Sequence, residues 1–364
     1  MNGIFPFGFP GPTALYLGLY VLTLAGHVLF MSYVLSGTAY LAMMALGGRD
    51  GRREATLRSV IVDYLPFAVG LAITAGVAPL LFVQILYEHR FYTANLLLFH
   101  RWMVIVPALI AGFYLLYLLK SGFVRGRKTL WRITAAGAFA CFAFVAWSFT
   151  ENHLLSRDQH VWVEVFASGR FFYPTWEVVP RLAVWFFGAG TVAAPLMGWQ
   201  LRRVRDEEGP AAPKEIKRLA LLALLGIVGA GVAVPVYMAL GPRDALATAT
   251  GPMALPYAVM TVVGGVVQLA VWLGVLRKGE LETRPLWLAT AGLSLSLIGS
   301  GVVRESLRLA AVDIEALYPL HASAAESQGL IVFLVFFAIN AVVIAGAVRL
   351  GIKAGKLDEE VPAE

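Results

Sequence analysis

Two of the chain's six histidines, His27 and His100, fall inside long apolar stretches. An ionisable side chain at membrane depth is a functional candidate before it is a structural accident, and neutral imidazole is a strong metal ligand. At about 1.5 Å per helical residue, His27 lies about 18 Å below Leu15 and His100 about 12 Å below Tyr92. Two imidazoles at comparable depth, in helices running the same way, suit the axial positions of a haem b iron, with the apolar shell setting its potential. The other reading is a histidine bonded to a helix carbonyl or to a Ser or Thr of a neighbour.

The arginines extend the same chemistry. Arg101 follows His100 directly, and Arg181 opens a later apolar stretch. A guanidinium at that depth needs a counter-charge. Haem propionates would supply it; so would Glu88, Glu151 or Glu177, or the head group would snorkel to the interface. Arg304 and Arg308 lie one turn apart and point into an external loop, where they would serve propionates or an acidic partner. His89 and His153 read as helix-mouth residues and His160 and His321 as loop residues, all four solvated. Asp63 is the nearest thing to a deep carboxylate, so the string of ionisable groups that a proton-driven transporter needs is missing.

These residues need spans to hold them. Hydrophobic residues make up 59% of the 364 positions and charged residues 14%, against about 25% charged in a soluble domain; mean hydropathy is +0.73. Apolar runs near 14–46, 59–87, 92–119, 129–150, 180–201, 216–240, 254–276, 285–303 and 327–351 each reach the ~20 residues that cross a bilayer. In lipid they must be helices, because each backbone group needs a partner within its own segment. The expected fold is all-α, a polytopic membrane protein with nine transmembrane helices. One cysteine, Cys141, excludes disulfides, cysteine-held clusters and covalent c-type haem attachment within the chain. Residues 1–13 carry no Lys or Arg, and no cleavable signal is expected.

Charge orients the ladder. Arg49, Arg52, Arg53 and Arg58 follow the first span, Lys120, Arg125, Arg127 and Lys128 the third, Arg202, Arg203, Arg205, Lys214, Lys217 and Arg218 the fifth, and Arg277, Lys278 and Arg284 the seventh. The positive-inside rule makes these loops and the Lys353/Lys356 tail cytoplasmic and the N-terminus external. The net charge of +6 is thus a topology signal, with no nucleic-acid partner implied. Residues 1–201 form a first bundle of five spans with the candidate haem site, 202–218 a cytoplasmic linker, and 219–364 a second bundle of four. Two external loops are long, 151–179, where Val161–Phe172 reads as an interfacial amphipathic helix, and 304–326. Their aromatics and arginines make an external protein partner the expectation.

Four segments resemble one family. GPTALYLGLYVLTLAGHVLFMSYVLSGTAYLA (11–42) resembles the first helix of subunit I of cytochrome bd-type oxidases, and more closely their divergent relatives found beside c-type cytochromes. GVAPLLFVQILYEHRFYTANLLLFHRWM (76–103), VPRLAVWFFGAGTV (179–192) and RESLRL with the ninth span are similar to other parts of those relatives. The resemblance implies a bacterial cytoplasmic membrane protein, with His27 as first-helix haem ligand and His100 near a third-helix carboxylate of the oxidases. The fifth-helix histidine of the relatives is Val184 here, and the quinol-oxidising loop between the sixth and seventh spans is short. The expectation is a b-type cytochrome subunit relaying electrons between external c-type cytochromes and the membrane in a respiratory complex. The alternatives are a haem-free, quinone-binding anchor and a bd-like terminal oxidase with five-coordinate haem.

Overall fold

The computed structural model describes residues 3–47, 57–124, 126–173, 175–208, 212–241, 244–327 and 329–357. Arg49, Arg52, Arg53 and Arg125, four of the orienting basic residues, lie outside these. Among the described residues there are helices and no strands: α1 (Gly11–Leu46), α2 (Leu57–Leu97), α3 (Phe99–Lys120), α4 (Lys128–Arg157), α5 (Trp162–Ser168), α6 (Val178–Glu208), α7 (Pro213–Leu240), α8 (Ala245–Thr250), α9 (Leu255–Lys278), α10 (Thr283–Leu309), α11 (Tyr318–Glu326) and α12 (Gly329–Leu357). Eight of them, α1–α4, α6, α7, α9 and α10, are long and apolar enough to cross a bilayer. A ninth crossing is made if the pair Glu315–Glu326 and Gly329–Val343, bent by 67°, is one span. The chain is an all-helical polytopic membrane protein.

Local sequence sets the ends. Proline in the first turn of α1, α7, α9 and α11 occupies a position whose missing N–H has no intrahelical partner to lose. α9 stops at Gly279, whose φ of 70° closes the helix in the left-handed conformation that glycine adopts freely.

Several boundaries differ from the sequence reading. α2 does not end at residue 87; it runs to Leu97, bent at Tyr87 (φ −138°, ψ 28°), so Glu88–Phe91 is helical rather than a loop. Its 41 residues amount to about 62 Å, more than the 40–45 Å of a whole bilayer, and the stretch past Tyr87 extends beyond the hydrocarbon. α4 continues to Arg157 and α10 to Leu309, which shortens both expected loops. The expected amphipathic helix at 161–172 is the shorter α5. Residues 202–218 are helical at both ends, within α6 and α7.

Two apolar clusters stack along the bundle. We call the end where α1 begins the upper end. The lower cluster joins Leu41, Leu57, Ile61, Leu116, Trp131, Leu219 and Trp272, and the upper one Phe5, Tyr16, Leu17, Phe82, Leu86, Val302 and Leu309. With lipid outside, such helices gain little from hydrophobic exclusion and rely on close packing, often through small residues. A β-carbon on Gly226 of α7 would stand 2.6 Å from Thr191 N and 2.7 Å from Phe187 O of α6. Only glycine lets the two backbones approach so closely. We therefore expect Gly226→Leu to lower the thermal transition of the detergent-solubilised protein, by about 1–3 kcal/mol or more of overpacking. Gly231→Leu, on the same helix with nothing within 4 Å, should leave it unchanged.

Candidate functional site: an amphipathic cavity in the upper half of the bundle

Between the two clusters lies a cavity of about 360 Å³, lined from α1, α2, α3, α4, α6 and α10. That is a volume typical of small-molecule sites. Its walls divide by character. Tyr20, Asn152, His153, Arg181, Arg304 and Arg308 meet at the upper end, while Leu24, Met31, Val34, Val69, Leu109 and Phe142 line the remainder. His27 stands between the two parts.

The upper end is a knot of guanidinium groups. Arg308 Nη2 donates to His153 Nδ1 at 2.5 Å and Arg304 Nη2 to the same nitrogen at 3.3 Å. A guanidinium only donates, so His153 Nδ1 accepts and its proton sits on Nε2. Both arginines also donate to the Tyr20 hydroxyl, at 2.9 Å and 3.4 Å. Glu305, fully buried, lies 3.5 Å from Arg304 and 3.9 Å from Arg308 and accepts a hydrogen bond from the Tyr87 hydroxyl. Arg308 packs over the Tyr87 ring with its guanidinium carbon 4.7 Å from the centroid. Arg181 is 6% exposed, and its guanidinium lies 5.1 Å from the Tyr237 ring centroid with no hydrogen bond or ion pair among the described residues. Three guanidiniums against one carboxylate leave an excess of two positive charges. Burying such an excess is costly unless an anion offsets it.

His27 is held differently. Its Nδ1 lies 2.9 Å from the Ala72 carbonyl of α2. A carbonyl only accepts, so Nδ1 carries the proton and Nε2 keeps its lone pair, with no protein partner among the described residues. A metal-ligating histidine is oriented in the same way, through its other ring nitrogen. Gly76 makes room for it: a β-carbon there would stand 3.0 Å from His27 Cε1 and Nδ1. The bland reading of a histidine bonded to a helix carbonyl is half realised, since one nitrogen is used and the other is free.

The remaining sequence candidates separate. His100 does not approach His27. Because α2 runs to Leu97, His100 falls in the first turn of α3, exposed and outside the cavity rather than about 12 Å deep. Arg101, 1% exposed, also lies outside the cavity and takes the carboxylate partner: Nη1 is 2.6 Å from Glu151 Oε2, and Nε donates to Ser148 Oγ at 3.2 Å. Glu151 also accepts from Trp147 Nε1 at 2.5 Å and Tyr173 N at 2.9 Å, and the Phe172 ring stacks on Trp147 at 4.8 Å. Arg101 thus anchors the loop after α5. Arg304 and Arg308 do not project into an external loop; both are on α10 and turned into the cavity.

Two histidines read as solvated are buried. His153 is part of the arginine knot, because α4 extends a further turn and more past residue 150. His321 is fully buried on α11; its Nε2 donates to the Leu86 carbonyl at 3.2 Å and its Nδ1 accepts from Thr13 Oγ1 at 2.9 Å. The spacing Asn152-His153 after an aromatic helix gave no sign of this. The signal lay in the charges, since Arg181, Arg304 and Arg308 each sit within a turn of a span on the same side.

No protein-family model, curated protein or solved structure matches the chain.

A second, smaller cavity of about 210 Å³ is lined by Leu154, Arg157, Asp158, Tyr173, Thr175, Glu177 and Ala311. Glu177 lies 3.7 Å from Arg157, yet burial outweighs that attraction and holds its carboxyl above the ordinary range. Burial, with Asp158 and Glu177 adding to it, pushes the Tyr173 hydroxyl up to about 12. A carboxyl whose folded pKa is raised binds its proton more tightly when folded, so stability is fullest below about pH 4.3, its unfolded value, and falls as pH rises through the folded value. The thermal transition of the wild type should decline across that window, and Glu177→Gln should flatten the decline. A variant with the same slope as the wild type would show that Glu177 is not the group responsible.

Proposed function

We propose that this chain is a membrane b-type cytochrome subunit, with His27 as an iron ligand and Arg181, Arg304 and Arg308 holding the haem carboxylates. The observation that carries the reading is the pairing of a free His27 Nε2 with a buried excess of two positive charges in one cavity. Haem b brings two propionates and an iron that takes imidazole, and its exchange of one electron is the chemistry it would supply. The protein's own contribution is clear in outline. Ala72 fixes the His27 tautomer, Gly76 leaves room for the ring, and the apolar walls exclude water. The likeness of the first helix to subunit I of bd-type oxidases supports the same assignment for His27.

In this reading the protein sits in a bacterial cytoplasmic membrane with the upper end external, as the basic loops require, and relays electrons between external c-type cytochromes and a respiratory complex. Arg304 and Arg308, turned into the cavity, are not part of a docking surface. A contact with an external cytochrome would use the exposed Trp176 and Phe166 and the half-exposed Phe171 and Phe172 instead. A second reading, an oxidase-like site with one protein ligand and an open iron position, is favoured by the exposure of His100 outside the cavity. A haem-free anchor with quinone in the same cavity is the remaining alternative.

One set of spectra tests this. The purified protein should show a sharp α band in the reduced-minus-oxidised spectrum, His27→Ala should lose essentially all of it, and His100→Ala should keep it. A CO-induced shift in the wild type selects the open-site reading. Absence of any haem band in wild-type protein expressed with adequate haem would remove the cytochrome reading and leave the quinone anchor. Orientation is read separately. Single cysteines at Lys278→Cys and Ser168→Cys in a Cys141→Ala background should label from opposite sides of the membrane, and labelling of both from outside would overturn the N-out topology.

A further inference from the structure

The charged groups and His27 account for the upper part of the cavity and leave its lower arm unexplained. From His27 to Leu35 the cavity follows α1 for about 12 Å more, between Met31, Val34, Leu35, Val69, Leu109 and Phe142. No polar side chain lines this arm, so nothing in it recognises a ring, a head group or a charge. An apolar space of this kind does not hold ordered water, and a hydrocarbon filling it gains dispersion contacts with its walls.

The cavity is not sealed at the level of His27, just above this arm. Ile73 and Val77, one turn apart on α2, line the cavity and are 47% and 53% exposed. They flank Gly76, the residue against the His27 ring. Opposite them α3 contributes Leu109 to the lining. Both helices are membrane spans, so this side opening between α2 and α3 faces the hydrocarbon of the bilayer rather than water.

We infer that the lower arm is a binding site for a phospholipid acyl chain, which inserts sideways from the bilayer between α2 and α3 past Ile73 and Val77. The acyl chain is the occupant because the arm reads only hydrocarbon, and acyl chains are the most concentrated hydrocarbon at that depth. The inference uses the cavity and its opening and does not depend on an iron ligand.

The test uses the full chain reconstituted in phosphatidylcholine vesicles that carry a photoactivatable diazirine on one acyl chain. After irradiation, peptide mapping should find adducts on inner residues such as Met31 and Leu109 as well as on the exposed outer face, for instance at Val262. Val77→Trp should lower the inner adducts about tenfold or more, as overpacking of the opening would, with outer adducts unchanged. Ile73→Trp supplies the same block should Val77→Trp fail to fold. Outer adducts without inner ones, or inner adducts unaffected by either tryptophan, would overturn the site. So would inner labelling by a diazirine-bearing prenyl alcohol and not by the acyl probe. The haem spectrum is recorded on the same samples, so absence of inner adducts in the wild type with an intact spectrum would reject this inference alone.

Discussion

The arrangement of the upper bundle depends on the desolvation of its arginines. Three buried guanidiniums, those of Arg101, Arg181 and Arg308, and the partly buried one of Arg304 stand at one end of the molecule, where each would forfeit a large hydration energy if left unmatched. Arg101 is matched inside the protein, by Glu151 and the rings stacked over it. Arg304 and Arg308 share one carboxylate, one tyrosine hydroxyl and one imidazole nitrogen, and the Arg181 guanidinium meets only the Tyr237 ring among the described residues. That difference separates a matched ion pair from a cluster with an excess of two positive charges. The helix ends follow from it: α4 must extend far enough to present His153 to α10, and α10 far enough to bring Arg308 beneath Tyr87.

Histidine chemistry is divided along the cavity by the kind of partner that each ring meets. His153 meets donors only and so carries its proton on Nε2, which makes it an acceptor in the arginine knot and leaves no lone pair facing a metal. His27 meets a carbonyl only, and so keeps Nε2 unprotonated. His321 meets one of each, a hydroxyl and a carbonyl, and is consumed in tying α11 to α1 and α2. Three imidazoles of one chemical type thus have three different capacities, and of these only His27 retains the free nitrogen that a metal needs. His100, on which a two-histidine site would depend, is left at the surface by the extra turns of α2.

The cavity also explains why the upper and lower halves of the bundle differ. Below it, small residues and large aliphatics close the helices tightly, as at Gly37 against Ile61 and Leu65 and along Leu57 and Leu219. Above it, aromatics from the N-terminal segment, α1 and α2 meet the end of α10 and the residues beyond it. The space between is bounded by apolar side chains on one side and by fixed charge on the other, so the cavity is itself amphipathic.

The sequence by itself determined the class of protein. Runs of apolar residues too long for a soluble core, with basic residues gathered in alternate loops, leave a helical membrane protein as the one arrangement that satisfies the backbone in lipid. It also singled out His27, Arg181, Arg304 and Arg308, because charged or ionisable groups at membrane depth stand out against an apolar background. What it left undecided was how far each helix runs past the hydrocarbon, since nothing in the local propensities of EHRFYTANLL or TENHLLSR marks a stop. A difference of two or three turns there moved His100 out to the surface and His153 into the site. Pairing was equally a tertiary matter: Arg101 and Arg181 look alike in sequence, and only the packing of α3 on α4 gives one of them Glu151 and leaves the other unmatched.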